Sequence, residues 1–159
     1  MPLDTHTNQL FLEIYHRQVD SVYRVCYSFM KNPTDAEDIT QETFLKLLSK
    51  EITFENERHE KAWLIVTASN LCKDALRKWW RHLNFIEKYG AEPPVEEDRT
   101  IYEAVFRLKS DYKTVVYLYY YEGYSTAEIA QYLNCPESTV RSRLKRARDQ
   151  LKVMLGGDM

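Results

Sequence analysis

Apolar residues recur along most of this chain at intervals of three and four, the spacing that collects them on one face of a helix. Leu10, Phe11, Ile14, Val22, Val25, Cys26 and Phe29 predict a first helix over about residues 8–30. Lys31-Asn32-Pro33 closes it, because proline biases the residue before it away from helical backbone. Ala36, Ile39, Phe44, Leu47 and Leu48 form the inward stripe of a second helix, with Asp38, Gln41, Glu42 and Lys46 left outside. Its start reads as Thr34 with Glu37 three residues later, a capping box. Residues 51–60 (EITFENERHE) are acidic and aperiodic and read as a loop. A third helix spans about 61–82, with Trp63, Leu64, Ala68, Leu71, Cys72, Ala75, Leu76 and Trp79 on its apolar side.

The pattern then breaks. Residues 83–100 hold Gly90, Pro93 and Pro94 and carry two basic residues against five acids, the composition of a linker. Ile101, Val105 and Leu108 begin a second domain with a short helix. Asp111 would cap the next segment, YKTVVYLYYYEGY, in which Val and Tyr favour a strand. Helical spacing of Val115, Leu118 and Tyr119, and the absence of any second strand to pair with, favour a helix instead.

Residues 125–152 are the most informative. Ser125 and Glu128 form a capping box, and Ile129, Ala130 and Leu133 line a short apolar stripe. Asn134-Cys135 is a tight break, and Pro136 takes a favoured first-turn position of a second helix. Val140, Leu144, Ala147 and Leu151 bury one face of that helix. The other face is basic: between Glu137 and Lys152 there are six Lys/Arg against two acids. A helical hairpin with a solvated basic face uses the same residues. However, Ser138, Thr139, Arg141 and Ser142 cluster in the first turns, where a helix-turn-helix places its base-reading side chains. Together with the lopsided charge, this favours DNA binding.

Composition narrows the class. The 159 residues suit one ordinary domain or two small helical ones, and only four Gly and five Pro favour long helices. A formal net charge of −2 argues against indiscriminate coating of nucleic acid. No apolar run reaches the ~18 residues of a membrane span, and the N-terminus lacks the basic-then-apolar pattern of a signal peptide. Cys26, Cys72 and Cys135 are odd in number and widely spaced, as expected of reduced thiols in a cytoplasmic protein. No metal-ligand spacing, phosphate loop or nucleophile-base pair occurs, so neither catalytic residues, a cofactor nor a small-molecule substrate is expected. Trp79-Trp80 beside Lys78 and Arg81 could stack bases, but one core and one rim aromatic is the simpler reading.

These residues resemble the extracytoplasmic-function (ECF) subfamily of bacterial RNA polymerase sigma factors over nearly the whole chain. Residues 35–44 (DAEDITQETF) are similar to region 2.2 of that family. Ala62-Trp63-Leu64, Ala68-Ser69-Asn70-Leu71 and Asp74-Ala75-Leu76-Arg77 are similar to regions 2.3 and 2.4. Tyr121-Glu122-Gly123-Tyr124-Ser125, Glu128-Ile129-Ala130, Cys135-Pro136 and residues 139–144 are similar to region 4.2. Two departures stand out: Leu108-Lys109 replaces a common Leu-Pro, and Glu137-Ser138 replaces a small, often glycine-containing pair.

The resemblance implies an all-α fold of two small helical domains joined by a short flexible linker, the C-terminal one with a helix-turn-helix. Residues 1–82 would bind core polymerase and recognise and melt the −10 element, 83–100 would link, and 101–159 would read the −35 element. It assigns Asp38, Gln41 and Glu42 to the clamp helices of the largest polymerase subunits, with the C-terminal domain on the flap. Phe54 belongs to a loop over 54–60 that captures a flipped base, and Asn70, Lys73, Arg77 and Lys78 would hold the −10 strand. Arg141, Ser142 and Arg146 would lie at or beside base edges at −35, with Ser138 and Thr139 also on the DNA-binding turns, and Arg143, Lys145 and Arg148 would touch phosphate or the partner domain. An anti-sigma factor, often membrane-anchored, is the implied regulator and would hold the protein at the inner face of the membrane. A stand-alone helix-turn-helix regulator binding an operator as a dimer is the alternative, but it leaves the helices before residue 82 without a role.

Overall fold

A computed structural model describes residues 5–50, 52–88 and 108–156. Every element among them is helical: α1 (Thr5–Met30), α2 (Pro33–Ser49), α3 (Glu57–Lys88), α4 (Ser110–Val116), a π-helical turn (Tyr117–Tyr121), α5 (Thr126–Leu133) and α6 (Glu137–Met154). Two compact units divide the chain, residues 1–72 and 73–159, with the division inside α3.

In the first unit α1 and α2 form an antiparallel hairpin. Lys31 adopts a left-handed conformation (φ 63°) just past α1, and its N–H donates to the Tyr27 carbonyl at 2.9 Å. The N-cap of α2 is Asn32, whose side chain accepts from the Asp35 N–H at 2.8 Å. The expected Thr34–Glu37 box is therefore superseded. Pro33, with φ already helical and no N–H to satisfy, occupies the first turn and moves the cap back to Asn32. Val22, Val25, Cys26 and Phe29 pack with Ala36, Ile39, Phe44 and Leu47 and with Leu64, Ile65, Ala68 and Cys72, all buried. Each fully buried aliphatic side chain contributes about 1.5–3 kcal/mol. Cys26 lies within hydrogen-bonding reach of Cys72 and Thr40, all inside this core. Leu10, expected on the apolar face, is 47% exposed because it precedes the stretch of α1 that the other helices cover.

α3 starts at Glu57, four residues before the expected position. Asn56 Oδ1 accepts from the His59 N–H at 2.9 Å, capping the new first turn. Glu60, expected in the loop, is buried in that turn because Arg17 and Gln18 of α1 hold it. The helix also runs to Lys88, so residues 83–88 of the expected linker are helical. The rest of that linker, the expected short helix up to residue 107, and the side chains of Trp79 and Trp80 lie outside the described residues.

In the second unit the Tyr/Val-rich segment is helical, as its spacing predicts and its strand propensity does not. Val115 and Leu118 are fully buried. Its last turn widens into a π-helix, with the Glu122 N–H donating to the Tyr117 carbonyl at 3.0 Å. Gly123 (φ 77°) then turns the chain towards α5. Asp111 does not cap α4: Lys109 occupies the N-cap position, and the Asp111 carboxylate accepts from Lys73 Nζ at 2.9 Å instead.

The helix-turn-helix follows its sequence closely. Ser125 Oγ accepts from the Glu128 N–H, and Glu128 Oε1 accepts from the Ser125 N–H, each at 3.1 Å. Asn134 ends α5 in a left-handed conformation (φ 53°), one of the few non-glycine types that adopts it readily. Pro136 stands one position earlier than expected, at the N-cap, and α6 begins at Glu137. Thr126 Oγ1 donates to Glu137 Oε1 at 2.7 Å, tying α5 to α6 across the turn. Ile129, Ala130, Val140, Leu144 and Ala147 close the core with Leu108, Val115, Leu118 and Tyr124.

Candidate nucleic-acid interface

With Val140, Leu144 and Ala147 buried, the opposite side of α6 is turned outward. Ser138, Ser142 and Arg146 succeed one another at four-residue spacing along that outer face, with Thr139 beside them. Arg143 stands on one flank, and Arg141 and Lys145 on the other. On the Arg141 flank the cations are engaged: Arg141 pairs with Glu137 at 3.0 Å and Lys145 with Asp149 at 3.4 Å. Arg148 donates to the Tyr120 hydroxyl at 3.2 Å. On the Arg143 flank neither Arg143 nor Arg146 is in a salt bridge among the described residues. There a cleft of about 410 Å³ opens between α6 and the start of α4. Ser138, Thr139, Ser142, Arg143 and Arg146 line its α6 side, and Lys109, Asp111 and Tyr112 the other. The arrangement offers hydroxyl and guanidinium donors to an anionic, edge-patterned ligand.

The outer positions of α3 are also cationic. Asn70, Arg77 and Lys78 are exposed, and Asn70, Lys73 and Arg77 follow one another at three- and four-residue spacing. Arg77 is shared with Asp74 at 3.1 Å, and Lys73 with Asp111 at 2.9 Å. Lys73 holds the Asp111 carboxyl below its ordinary range by donating a hydrogen bond, and the nearby Arg143 and Lys109 charges act in the same direction.

At the N-terminal end of α3, Phe54 is half-buried. It meets His59 edge-on at 5.3 Å between ring centroids and Trp63 at 5.9 Å. The Glu55 N–H donates to His59 Nδ1 at 3.2 Å, so backbone and aromatic rings fix the loop together. Beneath it, Arg17 Nε and Nη2 donate to the two Glu60 oxygens at 2.9 Å each, and Gln18 Nε2 donates to Glu60 Oε1 at 2.9 Å.

On α2, Asp38, Gln41 and Glu42 are exposed on one face, and Leu45 beside them is 63% exposed. Leu45 is out of register with the buried stripe, the one sequence signal that could have singled it out. No comparable signal marks Arg17, Gln18 and Glu60, whose association spans more than 40 residues of sequence. Among the described residues no cluster of His, Cys, Asp and Glu could hold a metal ion, and no helix is long and apolar enough to cross a membrane.

Comparisons with known proteins agree with this two-part arrangement. The family model for sigma-70 region 2 matches residues 14–82, and that for sigma-70 region 4 matches residues 98–151. The ECF RNA polymerase sigma factor SigW of Bacillus subtilis is 30% identical, over 91% of this chain and 88% of its own length. The RNA polymerase sigma factor SigV of the same organism is 32% identical, over 88% and 86%. The sigma factor RpoE of Bartonella quintana, solved in complex with the anti-sigma factor NepR, shares the fold with a TM-score of 0.68 at 24% identity, covering 96% of this chain and 98% of that one. CnrH, solved with the cytosolic domain of CnrY, gives 0.66 at 22% identity, covering 96% and 91%. The fold and the two matched regions define a sigma-70-type transcription factor. The chain belongs to the ECF RNA polymerase sigma factors. Its function is promoter-specific transcription initiation, as a specificity subunit of RNA polymerase.

Proposed function

We propose that this chain carries RNA polymerase to its promoters by a division of labour among three surfaces. Asp38, Gln41 and Glu42 on α2 dock on the clamp helices of the polymerase. Phe54 and the α3 residues Asn70, Lys73, Arg77 and Lys78 capture and hold the −10 strand. The outer face of α6 reads the −35 element, with Arg141, Ser142 and Arg146 at or beside the base edges, Ser138 and Thr139 in the same first turns, and Arg143, Lys145 and Arg148 on phosphate or the partner domain. The observation that carries this reading is the row of hydroxyl and guanidinium groups along the first turns of α6, on the side opposite its buried face. An Arg bidentate to guanine supplies about 1–3 kcal/mol of discrimination, whereas phosphate contacts mainly position the helix.

Residues 1–82 form the polymerase and −10 domain in this reading, and residues 101–159 the −35 domain. The protein works in the cytoplasm and is restrained by an anti-sigma factor, the kind of protein named as the partner in the solved RpoE structure. A dimeric operator-binding regulator would give α2 and α3 no task. Run-off transcription from a genomic library with reconstituted holoenzyme tests the reading. Promoter-dependent transcripts that require this chain are expected, and their absence from every genomic template would refute it.

A further inference from the structure

Within the cleft beside α6, Lys109 belongs to no motif that predicts DNA contact. It is exposed, sits in extended backbone (φ −52°, ψ 142°) just before α4, and its ammonium lies 6.0 Å from the Tyr112 ring centroid. It faces the same space as Arg143 and Arg146 and the hydroxyls of Ser138, Thr139 and Ser142. The one acid there, Asp111, faces the three cations Lys109, Arg143 and Arg146, so the cleft keeps a net positive charge when Lys73 is engaged at the −10 strand. Pro136 gives the first turn of α6 no side-chain cap, so the positive end of an 18-residue helix adjoins the same region.

Three cations against one acid, on the flank of a base-reading face, suit a ligand that is anionic and fixed beside the bases. We propose that this cleft clamps one phosphodiester of the −35 duplex, with Lys109 and Arg143 as opposing jaws, and that Lys109 is thereby a DNA-backbone contact of this chain. The proposal rests on the reading that α6 occupies the −35 groove. Its role is register: a phosphate held between α4 and α6 sets how deeply Ser142 and Arg146 approach the bases, and it carries no sequence preference itself.

The test uses holoenzyme reconstituted from the full chain and measures promoter binding over a salt series. Lys109→Gln should bind about fivefold more weakly at low salt, equally on matched and base-substituted −35 elements. Its salt slope should fall by about 0.9, so the wild-type advantage shrinks about 3- to 4-fold between roughly 50 and 200 mM salt. Lys109→Arg should retain wild-type binding, which excludes a folding defect. A neutral methylphosphonate scanned along the −35 strands should weaken the wild type at one position where Lys109→Gln, left with Arg143 alone, loses less. Unchanged affinity and slope in Lys109→Gln, or a loss that depends on base identity, would overturn the clamp. Wild-type binding that ignores the −35 sequence altogether would instead refute the −35 reading of α6.

Discussion

Arg17 and Glu60 meet through two parallel hydrogen bonds of 2.9 Å, joining α1 to the first turn of α3. The Glu60 side chain is 6% exposed and that of Arg17 35%, so one charge is desolvated and the other partly wet. Removing the guanidinium leaves a buried carboxylate that still accepts from Gln18 Nε2. Arg17→Ala should therefore destabilise the protein by about 2–3 kcal/mol in urea unfolding. Replacing Arg17 and Glu60 together with Met should cost less than Arg17→Ala alone, because no charge is left unpaired. Because the same turn carries His59 and is followed by Trp63, Arg17→Ala should also loosen the Phe54 loop, seen as faster amide exchange at Glu55.

The Lys73–Asp111 contact gives a pH dependence with a definite sign. The Asp111 carboxyl titrates below its ordinary value of 3.8 because Lys73 donates to it. A lowered folded-state pKa means that the unfolded chain binds more protons in acid. The stabilisation is thus fully present above the ordinary carboxylate value and is lost as pH falls through the lowered one. Carboxyl-resolved NMR titration should show Asp111 titrating below a free Asp, and Lys73→Met should move it back up. High salt should weaken the effect, since the Asp111 side chain is 53% exposed.

The helix-turn-helix depends on two small local devices. Ser125→Ala removes the acceptor for the Glu128 N–H and should cost about 1 kcal/mol in thermal unfolding. Asn134 holds φ 53°, so Asn134→Gly should be tolerated. Asn134→Val should cost about 1–2 kcal/mol, because a β-branched side chain clashes in that conformation.

The exposed Leu45 belongs to the same surface of α2 as Gln41 and Glu42, and burying it serves no purpose within this unit. Leu45→Ala should leave unfolding within about 0.5 kcal/mol of wild type. In a polymerase-binding titration the same change should weaken association with the core enzyme, as loss of an apolar anchor from a polar interface would.

The parts of the fold legible in the sequence are those governed by local physics. The Ser125–Glu128 box, the Asn134 break and the Val140, Leu144, Ala147 stripe each involve residues within one or two helical turns, and each appears where the spacing puts it. The Tyr/Val-rich segment was readable only by weighing helical spacing against strand propensity, and its π-helical end carries no sequence mark. Thr34 and Glu37 spell a capping box, yet Pro33 and Asn32 outcompete it, because a fixed φ stands one residue earlier and an amide acceptor two residues earlier. Glu60 read as part of an acidic loop since its partners, Arg17 and Gln18, are distant in sequence and nothing local announces them. The faces of α2, α3 and α6 were visible as polar positions, but their pairing states, such as Arg141 with Glu137 or Lys73 with Asp111, required the fold.

The division of labour between α6 and α2 is tested most directly by transcription from promoter pairs that differ only in an intact or a scrambled −35 element. With holoenzyme at fixed concentration, Arg146→Ala, alone or with Arg141→Ala, should reduce output from the intact promoter about tenfold and leave the scrambled one nearly unchanged. Asp38→Ala with Gln41→Ala should reduce both promoters by the same factor and be rescued by excess sigma factor. The same profile from both sets of substitutions across the promoter pair would contradict this division of labour.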